Sequence, residues 1–201
     1  MSCNVYYESK KVNNEWKHHV LKVFECGNIH LILTLQNHLN LIKKDDNNSN
    51  LIVKLRENVV DASYSYPLFY IVDNDGMVFK TNIEQIIDNR WDVIEVEQKI
   101  TQISGNGDGL LMISDDHEMI GMGNFENVLS SDEPKKIECF SSIKALQVAT
   151  GDNFALVLVL PQRPQNDAST NKEDFIQKVR FDGRDLLKTQ VWSFGSINKG
   201  T

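Results

Sequence analysis

The sequence holds little of what marks a secreted, membrane-spanning or nucleic-acid-binding chain. Its 201 residues include only 3 cysteines. Cys3, Cys26 and Cys139 are scattered and odd in number, so their spacing writes neither a disulfide framework nor a zinc site. A reducing, cytosolic setting follows from that. Four prolines and 11 glycines exclude collagen-like and low-complexity architectures. No apolar run approaches the length of a membrane span, and the longest, Phe154 to Pro161, is strand-sized. The first residues, Met1 to Glu8, lack the basic stretch and apolar core of a secretory signal. Positive charge is also scarce. Lys and Arg total 21 against 28 Asp and Glu, a formal net charge of −7, which speaks against a general nucleic-acid-binding face. It leaves a local basic patch open. The pairs Lys10-Lys11, Lys43-Lys44 and Lys135-Lys136 read as solvated caps on strand ends.

What is present is an ordinary globular composition, 41% hydrophobic and 24% charged, organised in short β-rich runs rather than helical periods. Candidate strands are Val20–Phe24, Ile29–Leu35, Leu39–Lys43 and Leu51–Leu55, then Val59–Ala62, Leu68–Val72, Met77–Lys80 and Asp92–Val96. A third set is Ile100–Ser104, Leu110–Ser114, Glu118–Met122 and Lys136–Cys139. A fourth opens with Leu146–Thr150 and Ala155–Leu160 and resumes at Gln190–Phe194. One short helix is expected over Asn82–Asp88, capped by Thr81 or Asn82.

The turns carry their own chemistry. Asp73-Asn-Asp-Gly76 separates two apolar runs, with Asp and Asn tolerant of left-handed backbone and Gly supplying positive φ. Ser114-Asp-Asp-His-Glu118 holds the same place in the next set, and residues 45–50 form a longer polar loop. Residues 162–188 are polar, with alternating charges, and read as a disordered insertion within the last set.

The sets repeat. Aligned on Phe24, Ala62, Ile103 and Val148, they are spaced by 38, 41 and 45 residues. His38, Gly76 and His117 then fall at one common offset, in the turn between second and third strands. Gly123 closes the third set and Gly195 the fourth. A period near 40 with four strands per unit points to an all-β fold, a partial β-propeller of about four blades with a polar insertion in the last. A lone four-stranded sheet cannot bury both faces, whereas stacked blades cover one another. A β-sandwich is the alternative.

The stretch Phe24-Glu-Cys-Gly-Asn-Ile-His-Leu-Ile-Leu, with Gly27 and His30, resembles the signature of the regulator of chromosome condensation repeats. Val148-Ala-Thr-Gly-Asp-Asn-Phe-Ala-Leu keeps the Gly as Gly151 but has Phe154 for the His, while Ser65 and Asn106 stand at the Gly position of the middle units. Trp192-Ser-Phe-Gly195 resembles the family's later aromatic element. The resemblance covers residues of about 20 to 160 and 190 to 201. That family forms seven-bladed propellers, so residues 1–201 are expected to be the N-terminal part of one, a fragment that stops as another blade begins. The resemblance implies a binding or regulatory module rather than an enzyme, within a guanine-nucleotide exchange factor for Rab- or Rac-type small GTPases. It implies protein partners, a cytoplasmic and endosomal setting, and membrane association only through domains outside this sequence. Direct exchange on a Ran-type GTPase, and a general protein-interaction scaffold, are the alternatives. His30 is expected to be partly buried against the backbone of its own blade.

No residue is put forward as catalytic, cofactor-binding or metal-ligating, and no cofactor is expected. Gly105-Asn-Gly-Asp-Gly109 lacks the following helix and sixth-position Gly of a dinucleotide loop. Asp73-Asn-Asp-Gly76 has its Gly at the fourth position rather than the sixth of a calcium loop. His18, His19, His30, His38 and His117 show no metal spacing with Cys26 or Cys139, and Trp16, Trp91 and Trp192 read as packing anchors.

Overall fold

The computed structural model describes residues 19–44, 50–107, 109–125, 128–141, 143–151, 154–160, 177–179 and 190–195. It divides into two compact units, residues 1–94 and 95–201.

In the first unit, β1 (Val20–Cys26), β2 (Ile29–Thr34), β3 (Leu39–Lys44) and β4 (Asn50–Arg56) form an antiparallel meander in chain order. A second meander follows, with β5 (Val59–Ser65), β6 (Leu68–Asp73), β7 (Val78–Asn82) and β8 (Asp92–Ile94). Helix α1 (Ile83–Ile87) lies between β7 and β8. Its N-cap is Asn82, whose side-chain oxygen accepts from the amides of Glu84 and Gln85 at 3.0 and 2.8 Å, which occupies orphan donors of the first turn.

The second unit holds β9 (Ile100–Asn106), β10 (Gly109–Ser114), β11 (Met119–Phe125) and β12 (Leu129–Lys136), then a 3-10 turn at Glu138–Phe140. Its other sheet contains β13 (Lys144–Thr150), β14 (Phe154–Leu160), β15 (Gln177–Val179) and β16 (Gln190–Gly195), in the order β13-β14-β16-β15. The four sheets are referred to below as blades 1 to 4.

Two expectations are corrected. The strand expected at Lys136–Cys139 is the 3-10 turn, and the fourth strand of blade 3 is β12. That strand reads Leu-Ser-Ser-Asp-Glu-Pro-Lys-Lys and is largely exposed. An outermost strand has one edge and both faces near water, so it tolerates polar residues and Pro134 and loses its apolar alternation. The second correction concerns the repeat. Each blade carries a bulge at one place in its first hairpin, with Leu21, Val60, Thr101 and Leu146 as the extra residues. Setting the blades in register on that bulge aligns Val23, not Phe24, with Ala62, Ile103 and Val148. Both Val23 and Phe24 are apolar, so periodicity alone does not choose between them. The shift places Asn37 rather than His38 level with Gly76 and His117. All three have left-handed backbone, at φ 61°, 81° and 67°. It also takes Gly27 and His30 one residue out of step with Gly151 and Phe154.

Of residues 162–188, expected to be a disordered insertion, only 177–179 lie among those described. They form β15 on the outer edge of blade 4. Strand β14 skips that segment to pair with β16, Val159 opposite Gln190 and Phe154 opposite Gly195.

Each unit has its own core. In the first, Phe24, Leu31, Leu33 and Leu39 of blade 1 pack with Ala62, Phe69, Ile71 and Phe79 of blade 2. In the second, Leu111, Ile113, Met119 and Phe125 of blade 3 pack with Ala145, Val148, Ala155, Val157 and Phe194 of blade 4. Phe140 lies 5.9 Å, ring centre to ring centre, from both Trp192 and Phe194. The corresponding positions bury in both units, as a stacked repeat requires.

Candidate functional site

The sheets of each pair are joined along their first strands by a polar ladder. In the first unit the Lys22 ammonium donates to Asp61 Oδ1 at 2.5 Å and to the Ala62 carbonyl at 3.1 Å. Asp61 is buried, and its carboxylate also accepts from the Ala62 amide at 2.8 Å. Further along, Cys26 Sγ and the Tyr64 hydroxyl are 2.9 Å apart. In the second unit Gln102, which holds the same repeat position as Lys22, accepts from the Val148 amide at 2.9 Å. Ser104 Oγ accepts from the Thr150 amide at 3.0 Å, and Thr150 Oγ1 donates to the Gly105 carbonyl at 2.7 Å. An ion pair with a buried carboxylate and a half-exposed ammonium stands where the other unit uses neutral amides and hydroxyls, so the position selects for reach and polarity rather than for charge. The repeated signal was there to be found. Lys22, Asp61, Gln102 and Gln147 each follow the bulge.

A second link runs through the turns between second and third strands. The Asn37 carbonyl accepts from the Val59 amide at 2.9 Å, and the His117 carbonyl accepts from the Ala145 amide at 3.0 Å. These turns are built alike. Thr34, Asp73 and Ser114 each use a side-chain oxygen to accept from the amide four residues on, at 3.2, 3.0 and 3.1 Å. Asp73-Asn-Asp-Gly76 is therefore a hairpin turn. In Gly105-Asn-Gly-Asp-Gly109, Gly105 and Asn106 end β9 and Gly109 opens β10, with Asn106 Oδ1 accepting from the Gly109 amide at 2.9 Å.

Rigid sheets thus present loops at their ends. In the first unit Leu21, Leu35 and Met77 are exposed at the end that carries the turns between second and third strands. His19 and Gln36 are hydrogen-bonded there at 3.0 Å. At the opposite end Tyr66 is exposed in the turn joining β5 and β6. In the second unit the turn between second and third strands of blade 3 carries Asp115 and Asp116.

His30 is half-buried, but its partner differs from the expected backbone. Its Nδ1 lies 3.3 Å from the Glu25 carboxylate, directly across the hairpin. His117 fills the role expected of His30, with Nδ1 3.1 Å from the Ala145 carbonyl of the neighbouring blade. Trp91 and Trp192 pack partly against the two cores, while Trp16 and His18 lie outside the described residues.

Among the described residues Glu57 and Tyr70 have displaced ionisation. The hydrogen bond and charge of Lys54 hold the exposed Glu57 carboxyl below its ordinary value. Burial pushes the Tyr70 phenol up. Among the described residues no three His, Cys, Asp or Glu side chains are grouped to hold a metal ion, and no helix is long and apolar enough to cross a membrane.

None of the known family models and none of the curated proteins matches the sequence. Solved structures do. Human WBSCR16 superposes with a TM-score of 0.51 at 17% identity, covering 69% of this chain and 45% of that one. The N-terminal domain of Nup159 does so at 0.51 and 12%, covering 95% and 49%. The fold is a partial β-propeller. Yeast RCC1 (Prp20) superposes at 0.49 with 10% identity over 94% of this chain and 48% of its own, too low a score to set it apart from other propellers. The chain spans about half the length of the solved chains it matches.

Proposed function

We propose that this chain is a non-catalytic protein-interaction module, a set of propeller blades that holds loops rigidly for a protein partner. The observation that carries this is the pairing of stiff, cross-linked sheets with exposed apolar residues at one end of the first unit, the bulge residue Leu21 and the turn residues Leu35 and Met77. Large apolar side chains on a preorganised frame are what a partner can bury at low entropic cost. A solved S. cerevisiae assembly with Dbp5 bound to Nup159 is among the matches, at 12% identity and a TM-score of 0.51. That is a propeller-like chain in a protein complex.

The finer proposal is that the module belongs to an exchange factor resembling alsin, acting on Rab- or Rac-type GTPases in the cytoplasm and at endosomes. Its support is the order of elements around the polar segment. Leu158-Val-Leu-Pro161 precedes that segment, and Val191-Trp-Ser-Phe-Gly195 resumes the blade as β16, paired to β14. This resembles the interrupted blade of the alsin propeller. On this proposal the blades regulate or localise exchange and do not perform it. Nucleotide release from a Rab and from a Rac GTPase, by the full-length parent and by a propeller-deleted form, tests it. Release should persist without the propeller while its regulation or localisation changes. Loss of all release on deletion would favour direct exchange by the propeller, and no release by either form would sink the exchange-factor reading.

A further inference from the structure

The apolar end of the first unit is not dictated by its turns. Leu35 is 57% exposed, Met77 46% and Leu21 41%. With Asn37, Gly76 and His117 in register, Leu35 stands level with Asn74 and Asp115, and Met77 with His38 and Glu118. The bulge residue Leu21 stands level with Thr101. Blade 3 thus builds the same turn and bulge from polar residues. The three apolar side chains are also gathered rather than scattered. The Asn37 carbonyl accepts from the Val59 amide and the Asn58 carbonyl from the Asn74 amide, both at 2.9 Å, so the turns of blades 1 and 2 hang on one link between β4 and β5. Leu21 joins them through His19, two residues earlier. The His19 carbonyl accepts from the Leu35 amide at 2.7 Å, and its Nδ1 lies 3.0 Å from Gln36 Nε2. A gathered apolar patch that the fold does not require calls for a cover.

We propose that residues 12–18 act as a strap that lays Trp16 over Leu21, Leu35 and Met77, and that a protein partner must displace it. The need for displacement rests on the interaction reading above; the contact itself does not. Residues 1–18 lie outside those described, but the bonds of His19 fix where they reach the blade. Trp16 is three residues from His19, so its backbone stays within about 10 Å of it. That tether selects the occupant. A short connection gives an effective concentration of about 1 mM, and this falls as roughly the −3/2 power of length for segments farther along the chain. A second copy at micromolar concentration does not compete with it. The chemistry fits as well. One Trp offers about 200 Å² of apolar surface, and Lys17 beside it carries the charge opposite to the exposed Glu57 and Asp75 of the same end. An intrinsic affinity of about 0.1 mM for the patch then keeps the strap closed about nine-tenths of the time. Access of a partner to the patch falls about tenfold as a result.

Acrylamide quenching of tryptophan fluorescence in the whole chain tests the contact. The difference between wild type and Trp16→Phe isolates the emission of Trp16 from that of Trp91 and Trp192. Trp16 should be quenched about tenfold more slowly than free N-acetyltryptophanamide. The same difference taken in a Leu35→Asp background should approach the free rate, whereas Tyr66→Ser, at the opposite end of the unit, should leave Trp16 shielded. Trypsin gives a second readout that needs no substitution in the patch. Cleavage after Lys17 should be about tenfold slower in wild type than in Trp16→Ser. Trp16 quenched at the free rate in wild type overturns the proposal. So does shielding that survives in folded Leu35→Asp, shielding lost equally in Tyr66→Ser, or equal cleavage of wild type and Trp16→Ser. Neither measurement contains a partner, so their failure removes the strap and leaves the interaction reading standing, and a shielded Trp16 supports the strap whatever the partner is.

Discussion

His117 and Ala145 bind each other twice across two blades. The Ala145 amide donates to the His117 carbonyl at 3.0 Å, and His117 Nδ1 stands 3.1 Å from the Ala145 carbonyl, so the ring nitrogen is the donor. His117 does this from left-handed backbone, at φ 67°, where non-glycine residues are uncommon. His117→Ala should lose the side-chain bond and retain the strain, costing about 1–3 kcal/mol. His117→Gly should relieve the strain and lose only the bond, costing about 1 kcal/mol. Urea denaturation followed by tryptophan fluorescence, in a background with Trp16 and Trp91 replaced by Phe so that Trp192 alone reports, separates the two. An alanine variant as stable as the glycine variant would show that the turn is not strained.

His30 should matter less than its place in the repeat suggests. It is paired with a half-exposed carboxylate on its own hairpin, and such pairs contribute about 0–1 kcal/mol. His30→Ala should therefore cost under about 1 kcal/mol by the same denaturation measurement. A cost as large as that of His117→Ala would mean that His30 has a stronger role than the Glu25 contact.

Gly109 and Gly121 make a paired test of packing. A Cβ at Gly109 would clash with the Met122 carbonyl oxygen, which is backbone, and lie 2.6 Å from the Phe125 ring. A Cβ at Gly121 would meet only side-chain ends, Leu129 Cδ2 at 2.6 Å and Ile137 Cδ1 at 3.2 Å. Overpacking costs about 1–3 kcal/mol. Gly109→Ala should fall at the upper end and Gly121→Ala at the lower, measured by thermal melts. The reverse order would show that β11 yields more readily than the ends of Leu129 and Ile137.

Tyr70 predicts an alkaline limit. Burial raises its phenol above the ordinary value of 10.0, so the unfolded chain releases this proton first as pH rises. Between those two values the folded state holds more protons than the unfolded one, and stability falls with increasing pH. The contribution is complete below about pH 10 and is lost above it. Melting at pH 9 to 11 should show a steeper decline for wild type than for Tyr70→Phe. Parallel slopes would mean that Tyr70 does not set the limit.

Much of the fold was legible because strand alternation and turn chemistry are local. Asp73 and Gly76 mark their hairpin through one side-chain acceptor and one left-handed residue, and Asn82 marks α1 through its cap. The frame of the first repeat was not legible, since Val23 and Phe24 are both apolar and only the bulge at Leu21 separates them. Strand β12 was hidden by its own exposure, with Ser131, Asp132 and Glu133 reading as loop. The polar ladder escaped notice for another reason. Lys22 and Gln102 share a position but not a charge, and their common task, reaching a backbone group on the next sheet, exists only in three dimensions.

The detour within blade 4 also sets an order of events in folding. Strands β10 and β11 are joined by a turn of a few residues, whereas Val159 and Gln190 must meet across about 30 residues. Closing a connection roughly six times longer costs about 1.6 kcal/mol more in chain entropy. The aromatic cluster of Phe140, Trp192 and Phe194 cannot assemble before that closure. The second unit should therefore nucleate on the hairpins of β9 to β11 and of β13 with β14, with β16 docking last. Trp192 then reports the final step rather than the first, and a slow fluorescence phase after early strand formation is its kinetic signature.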